Sequence, residues 1–175
     1  MGDINALVVF YSRYGKAEKL ALAAGLGAIQ ADANIRLRRV ADRADAATIN
    51  ADADWKKNLD RMNRDYVVPR PADPTWADVI ILATPADPSM ELEAYVASLS
   101  SIGTMSGKLA APLAQDNSET ALKPIYSAAA CCGLIVMPCA TSSDDPIATA
   151  TSFGQRVTQM ARALKAGHPT TPQGS

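Results

Sequence analysis

Continuous apolar runs alternate with stretches of helical periodicity along most of the chain. Ala6 to Tyr11 (ALVVFY) is apolar throughout and ends at Ser12-Arg13-Tyr14-Gly15. Such a run predicts a strand buried on both faces of a parallel sheet. Lys16 to about Gln30 follows with strong helix formers, mostly Ala and Leu. Gly25 and Gly27 weaken that helix locally, but small residues allow close packing on a sheet. Ile35 to Val40 alternates, with Ile35 and Leu37 facing one way and Arg36 and Arg38 the other. This predicts a half-exposed edge strand, whose Arg36, Arg38 and Arg39 form a solvated edge that discourages strand addition. The polar stretch from Ala41 to Thr75 comes next. Within it, Asp52 to Tyr66 predicts a short helix with Trp55, Leu59 and Met62 on one face. Pro69, Pro71 and Pro74 are expected to keep the following chain extended.

Val79 to Ala83 (VIILA) is a second buried run, ending at Thr84-Pro85. A helix from about Ser89 to Leu99 puts Leu92, Tyr95, Val96 and Leu99 on one face. Leu109 to Ala114 predicts the fourth strand, although Pro112 lacks the donor that an interior strand needs. Leu122, Ile125, Tyr126 and Ala129 share a helical face, and Pro124 requires that this helix begin near Lys123 or kink. Leu134 to Cys139 predicts the last strand, with Pro138 at an edge or an end. Phe153, Val157, Met160, Ala161 and Leu164 form the stripe of the last helix. Residues 1–166 thus read as one domain, followed by a flexible polar tail, Gly167 to Ser175. This alternation predicts an α/β fold: a five-stranded parallel sheet of order 2-1-3-4-5 with helices on both faces. Ligands of such sheets bind at the switch point between strands 1 and 3. Here that is Ser12 to Lys16 and Thr84 to Met90.

Composition narrows the function classes. A chain of 175 residues suits a single domain, and 48% apolar with 20% charged residues is ordinary globular composition. The net charge of −1 offers no basic surplus for nucleic acid. No apolar run is long enough for a membrane span, and Met1-Gly2-Asp3 does not open a signal peptide. Three cysteines (Cys131, Cys132, Cys139) are an odd number without zinc spacing, and the single histidine, His168, lies in the polar tail. These features fit packing thiols in a reducing cytoplasm and give no metal site. Trp55 and Trp76 read as packing anchors, and Met62, Met105 and Met160 as gap-fillers.

The loop Ser12-Arg13-Tyr14-Gly15-Lys16 joins a buried strand to a helix. It offers free backbone N–H groups and the positive end of the helix dipole. Ser12 and Tyr14 add hydroxyl donors, Gly15 a tight path, and Arg13 and Lys16 positive charge. Phosphate binding uses all three kinds of help, but the loop alone equally fits a helix start with exposed charges.

The stretch ALVVFYSRYGKAEKLALAAGLGA resembles the opening of flavodoxin-fold NAD(P)H:quinone oxidoreductases of the tryptophan-repressor-binding-protein type. Trp76 to Pro85, Gly107 to Ala110 and Gly133 to Pro138 are similar to that family's strands 3, 4 and 5. The resemblance implies a flavodoxin-like three-layer sandwich that binds flavin mononucleotide (FMN). It implies that Ser12, Arg13, Tyr14, Gly15, Lys16 and Ala17 hold the phosphate. Pro85, Ala86, Asp87, Pro88 and Ser89, with Gln115, Asp116 and Asn117, would lie along the ring. NAD(P)H would be the co-substrate, a quinone the acceptor, and a homodimer or homotetramer the assembly. No catalytic side chain is implied, because the cofactor carries the chemistry.

Departures from the family concentrate at the ring. The family usually continues after Thr-Pro with Thr-Arg-Phe/Tyr-Gly, whereas this chain has Ala86-Asp87-Pro88-Ser89-Met90. A Trp that the family often carries before strand 4 is missing from the shortened Ser100 to Ser106 stretch. A Gly-rich segment is replaced by Gln115 to Glu119, and a His-Gly by Cys132-Gly133. Two readings follow: an FMN-dependent quinone oxidoreductase, or a divergent binding or assembly module that has lost FMN or takes another phosphate-bearing ligand. A cysteine hydrolase is disfavoured, because Cys131 and Cys132 lie toward the end of an apolar helix, where the dipole raises a thiol pKa.

Overall fold

The computed structural model describes residues 4–139 and 144–167. Its elements in chain order are β1 (Ile4–Phe10), α1 (Lys16–Gln30), β2 (Ala33–Arg39), α2 (Ala46–Asn50), α3 (Ala53–Asp65) and α4 (Ala72–Trp76). Then come β3 (Val79–Thr84), α5 (Met90–Ser98), β4 (Leu109–Ala114), α6 (Glu119–Cys131), β5 (Ile135–Val136) and α7 (Pro146–Gly167). The strands form one parallel sheet of order β2-β1-β3-β4-β5, the order expected from the alternation of runs.

Each face of the sheet carries its own core. On one, Ala6, Val8, Phe10, Ile81 and Ala111 pack under α1 and α7. On the other, Leu7, Val9, Ile80, Leu82 and Ala110 meet Leu92 and Val96 of α5 and Ile125 and Ala129 of α6. Successive strand residues serve opposite faces, so the centres of β1 (Ala6 to Phe10) and β3 (Val79 to Ala83) are apolar at every position. Each fully buried Leu, Ile, Val or Phe here contributes about 1.5–3 kcal/mol.

The glycines of α1 divide their work. A Cβ at Gly25 would meet Val8 and Ile35 at ordinary contact distance, so this residue faces the sheet as expected. A Cβ at Gly27 would fall 1.9 Å from the Thr151 carbonyl oxygen, and one at Gly154 2.0 Å from that of Ala24. Gly27 and Gly154 therefore let the backbones of α1 and α7 touch, a helix–helix role that sheet packing does not explain.

Several expectations are corrected. The arginines of β2 are not a solvated edge. Arg38 Nε donates to Asp73 Oδ2 (2.7 Å), Arg36 Nη1 donates to Asp73 Oδ1 (3.1 Å), and Arg39 is buried against Asp42. The chain at Val67 then bridges to Arg38, and Arg39 N–H donates to the Val67 carbonyl (3.1 Å), so backbone covers this edge. Pro71 and Pro74 do not hold an extended chain. Pro71 precedes α4 and Pro74 is its third residue, where a helix needs no N–H.

Pro112 sits inside β4 without loss. Lys108 and Ala110 carbonyls accept from Ile135 and Met137, so Pro112 faces the same side, where β5 has already ended. The last strand is accordingly two residues long rather than spanning Leu134 to Cys139. Helix α6 begins at Glu119, capped by Ser118, and carries Pro124 internally rather than starting near Lys123. The carbonyl left without that N–H belongs to exposed Thr120, where water can serve it. Met160 is exposed, not a gap-filler; Phe153, Val157 and Ala161 make the buried stripe of α7 with Ala150 and Gly154. That helix runs to Gly167; His168 and the remainder of the expected tail lie outside the described residues, as do Met1, Gly2 and Asp3. Among the described residues no helix is long and apolar enough to cross a membrane.

Candidate functional site

Strand β1 delivers its chain to the C-terminal rim of the sheet at Tyr11, whose N–H donates to the Ala83 carbonyl of β3 (3.2 Å). The loop then turns sharply. Gly15 adopts a left-handed conformation (φ 84°), and its N–H donates to the buried Ser12 Oγ (2.9 Å). Only glycine holds such a φ without strain. The Gly15 carbonyl already accepts from Lys19 N–H (3.1 Å), so helix α1 starts directly behind the turn.

This geometry leaves donors open. Asp45, Asp52, Ser89 and Ser118 cap α2, α3, α5 and α6 through their side chains, whereas no side chain caps α1. Among the described residues, the N–H groups of Arg13, Tyr14, Lys16, Ala17 and Glu18 have no hydrogen-bond acceptor. Unpaired N–H groups at a helix start, with the dipole behind them, form an anion site. Lys16 and Lys19 are exposed and enter no ion pair with described residues.

A cavity of about 270 Å³ opens in front of these donors. Ser12, Arg13, Tyr14, Lys16 and Ala17 line one side, and Pro85, Ala86, Asp87, Pro88 and Ser89 the other, with Gln115 between them. Gly15 shapes the loop but does not line the cavity. Asp116 and Asn117, both at positive φ (56° and 49°), instead border an adjoining hollow of about 360 Å³ with Lys16, Lys19, Leu20 and Leu113. Tyr11 also lines the cavity and was not anticipated; a strand run ending in a hydroxyl-bearing aromatic was the available signal.

The loop side chains are held from outside. Tyr11 OH donates to Asp42 Oδ1 (3.0 Å) and accepts from Arg13 Nε (2.9 Å). The Arg13 guanidinium lies 4.3 Å above the Trp55 ring, and Trp55 Nε1 donates to Asp42 Oδ1 (3.0 Å). Trp55 is thus more than a packing anchor. Burial pushes the Tyr11 hydroxyl well above its ordinary pKa, a shift that the Arg13 hydrogen bond opposes only in part. Tyr14 does not offer its proton to the cavity, because its OH donates to Asp52 Oδ2 (2.7 Å). Glu18 lies in the first turn of α1, where its charge would repel an anion. Arg61 Nη1 donates to Glu18 Oε1 (2.8 Å), and the Tyr66 hydroxyl donates to the same oxygen. Burial alone would raise the Glu18 pKa, but Arg61 and Tyr66 outweigh it and hold it below the usual range.

The opposite wall has a different character. Pro85 and Pro88 lack N–H groups and Asp87 is exposed. Ser89 is buried and committed: it accepts from Leu92 N–H (3.2 Å) and donates to the buried Glu91 (3.3 Å). The cavity therefore joins a cationic phosphate side to a wall that carries two prolines and one exposed acid, Asp87. Cys131 and Cys132 do not line it, and Cys132 Sγ is directed at the Val96 carbonyl (3.3 Å).

No protein-family model matches the sequence. The chain is 28% identical over 147 residues to an NAD(P)H dehydrogenase (quinone) of Deinococcus radiodurans, a match covering 77% of this chain and 72% of that protein. Its structure aligns with a flavodoxin from the domain Archaea at a TM-score of 0.64 and 15% identity, covering 91% of this chain and 99% of that one. A flavodoxin of Streptococcus pneumoniae aligns at 0.61 and 14% identity, covering 89% and 99%. The fold is flavodoxin-like, and the chain is a divergent relative of the quinone dehydrogenase.

Proposed function

We propose that this protein is an FMN-binding, flavodoxin-like oxidoreductase that uses NAD(P)H to reduce a quinone by two electrons. The observation that carries the reading is the set of unpaired N–H groups at Arg13, Tyr14, Lys16, Ala17 and Glu18, beside a cavity at the switch point of the sheet. The donor set fits a phosphate monoester: backbone N–H groups, the Ser12 hydroxyl proton, and the cations Arg13 and Lys16. FMN when bound supplies the hydride and electron transfer. The chain's own residues bind, orient and tune. Ser12 to Ala17 would fix the phosphate and so the register of the ring. Pro85 to Ser89 would flank the ring with rigid backbone, and Gln115 would offer an amide to its polar edge. The name of the Deinococcus relative supports the NAD(P)H and quinone assignments.

A second reading is favoured by one observation. The ring wall offers Pro85 and Pro88, which carry no N–H, and one exposed acid, Asp87. A binding or assembly module that keeps only the phosphate side would look like this. Steady-state oxidation of NADPH or NADH with a benzoquinone, before and after loading with FMN, separates the two. The oxidoreductase requires FMN-dependent turnover; FMN binding without turnover assigns the module. The same reading expects the protein in the cytoplasm, as an odd number of cysteines without a disulfide framework suggests. It also expects a homodimer or homotetramer, for which exposed Leu22, Leu26 and Ile29 of α1 offer an apolar stripe.

A further inference from the structure

The segment 41–75 has no role in the reading above, yet it holds Arg13 and Tyr14 of the phosphate loop and Tyr11 and Glu18 on either side of it. We propose that this segment is a clamp that presets the loop for its anion, with Trp55 as the positioning residue that holds Arg13; the proposal rests on the FMN reading.

The contacts fall at successive points of the loop. Tyr11 is tied to Asp42, Arg13 to Trp55, Tyr14 to Asp52, and Glu18 to Arg61 and Tyr66. The clamp is itself internally joined, because Trp55 Nε1 shares Asp42 Oδ1 with the Tyr11 hydroxyl, and Trp55 N–H donates to Asp52 Oδ1 (2.9 Å).

Arg13 is the residue on which this converges. It is exposed, and a long exposed cation ordinarily samples many rotamers. Here its Nε is spent on Tyr11 and its plane is laid over Trp55, while its terminal nitrogens make no hydrogen bond with described residues. Arg13 belongs to the cavity lining, so these nitrogens would be available to two phosphate oxygens. Ordering a ligand-binding side chain before the ligand arrives raises affinity by removing that cost from binding. Arg61 and Tyr66 act in the same direction by engaging the carboxylate of Glu18, which lies within 3.3 Å of the Cβ position at Gly15. Trp55 is buried and does not line the cavity, so its effect must pass through the residues it holds: Arg13 directly, and Tyr11 through Asp42.

The test compares FMN with riboflavin, which shares the ring but lacks the phosphate, by flavin-fluorescence titration of wild type, Trp55→Ala, Trp55→Phe, Arg13→Gln and the Trp55→Ala/Arg13→Gln double variant. Trp55→Ala should weaken FMN by about 3–30-fold, the range expected of a cation–π contact. It should leave riboflavin unchanged, and Trp55→Phe should restore most of the loss. Arg13→Gln should cost little more once Trp55 is gone. Equal loss of both flavins in Trp55→Ala and Trp55→Phe, no loss of FMN, or full additivity with Arg13→Gln would overturn the clamp. A wild type that binds both flavins equally, or neither, would instead defeat the FMN reading. Inorganic phosphate, read by its protection against thermal unfolding, then tests the clamp on its own: protection that Trp55→Ala weakens upholds it, and protection that is absent or unchanged overturns it.

Discussion

Replacing Gly27 by Ala should destabilise the protein, whereas the same change two residues earlier should stabilise it. The Cβ added at Gly27 would stand 1.9 Å from the Thr151 carbonyl oxygen, when real Cβ contacts essentially never fall below 3.0 Å. The obstruction is backbone, so α1 and α7 must separate by more than about 1 Å. That separation loosens the layer formed by Ala24, Ala28, Ala150, Phe153 and Val157, all buried. Overpacking of this kind costs about 3 kcal/mol at the upper end of its usual range. Better helix propensity returns about 1 kcal/mol. The net loss is about 2 kcal/mol, or a fall of about 4–8 °C in Tm for a chain of this size. At Gly25 the added Cβ would meet Ile35 at 3.7 Å and Val8 at 3.8 Å, ordinary contacts. Gly25→Ala therefore keeps the propensity gain of up to about 1 kcal/mol. Urea unfolding followed by far-UV circular dichroism measures both. Equal effects of the two substitutions, or a more stable Gly27→Ala, would refute the helix–helix role.

Further expectations follow from the polar network. Asp73 is buried and receives Arg36, Arg38 and the Arg70 N–H, so Asp73→Ala should cost about 2–4 kcal/mol in the same unfolding assay, with Arg38 left half-buried and unpaired. All five tyrosines are raised above their ordinary pKa, Tyr66 to about 12, chiefly through burial there and through Asp52 at Tyr14. The native protein at pH 10 should therefore show much less tyrosinate absorbance than the unfolded chain. Because the unfolded chain ionises first, the stability from Tyr66 is complete below pH 10 and is lost as the pH rises toward about 12. Asp87→Ala should raise the two-electron potential of bound FMN by on the order of 10 mV, because a solvated acid near an anionic reduced flavin exerts only a screened repulsion. An unchanged potential in spectroelectrochemistry would contradict the assigned place of Asp87.

The parts of the structure legible in the sequence are those fixed by local chemistry. Strands β1 and β3 must be apolar on both faces, so their runs announce a parallel interior, and alternating helices fix the layers. The turn at Gly15 is likewise written in adjacent residues. What escaped detection depends on distant partners. Arg36 and Arg38 looked solvated because Asp73 lies some 35 residues further along the chain. Pro71 and Pro74 looked like helix breakers because only the placement of α4 shows that they fall where no N–H is needed. Pro112 looked misplaced because the short length of β5, which exempts it, has no local signal. At the site, eleven of the fourteen expected residues line one cavity, yet the Tyr14 proton was misassigned because Asp52 takes it. The burial of Glu91, where it accepts from Ser89, was also missed, since a Glu in a first helical turn ordinarily faces water.

The central claim is that this cradle holds FMN, and the visible spectrum of the purified protein tests it most directly. Flavin bands that persist through desalting, or saturable quenching of added FMN at micromolar protein with one FMN per chain, are the predicted result. No retained flavin and no quenching at high protein concentration would contradict the account.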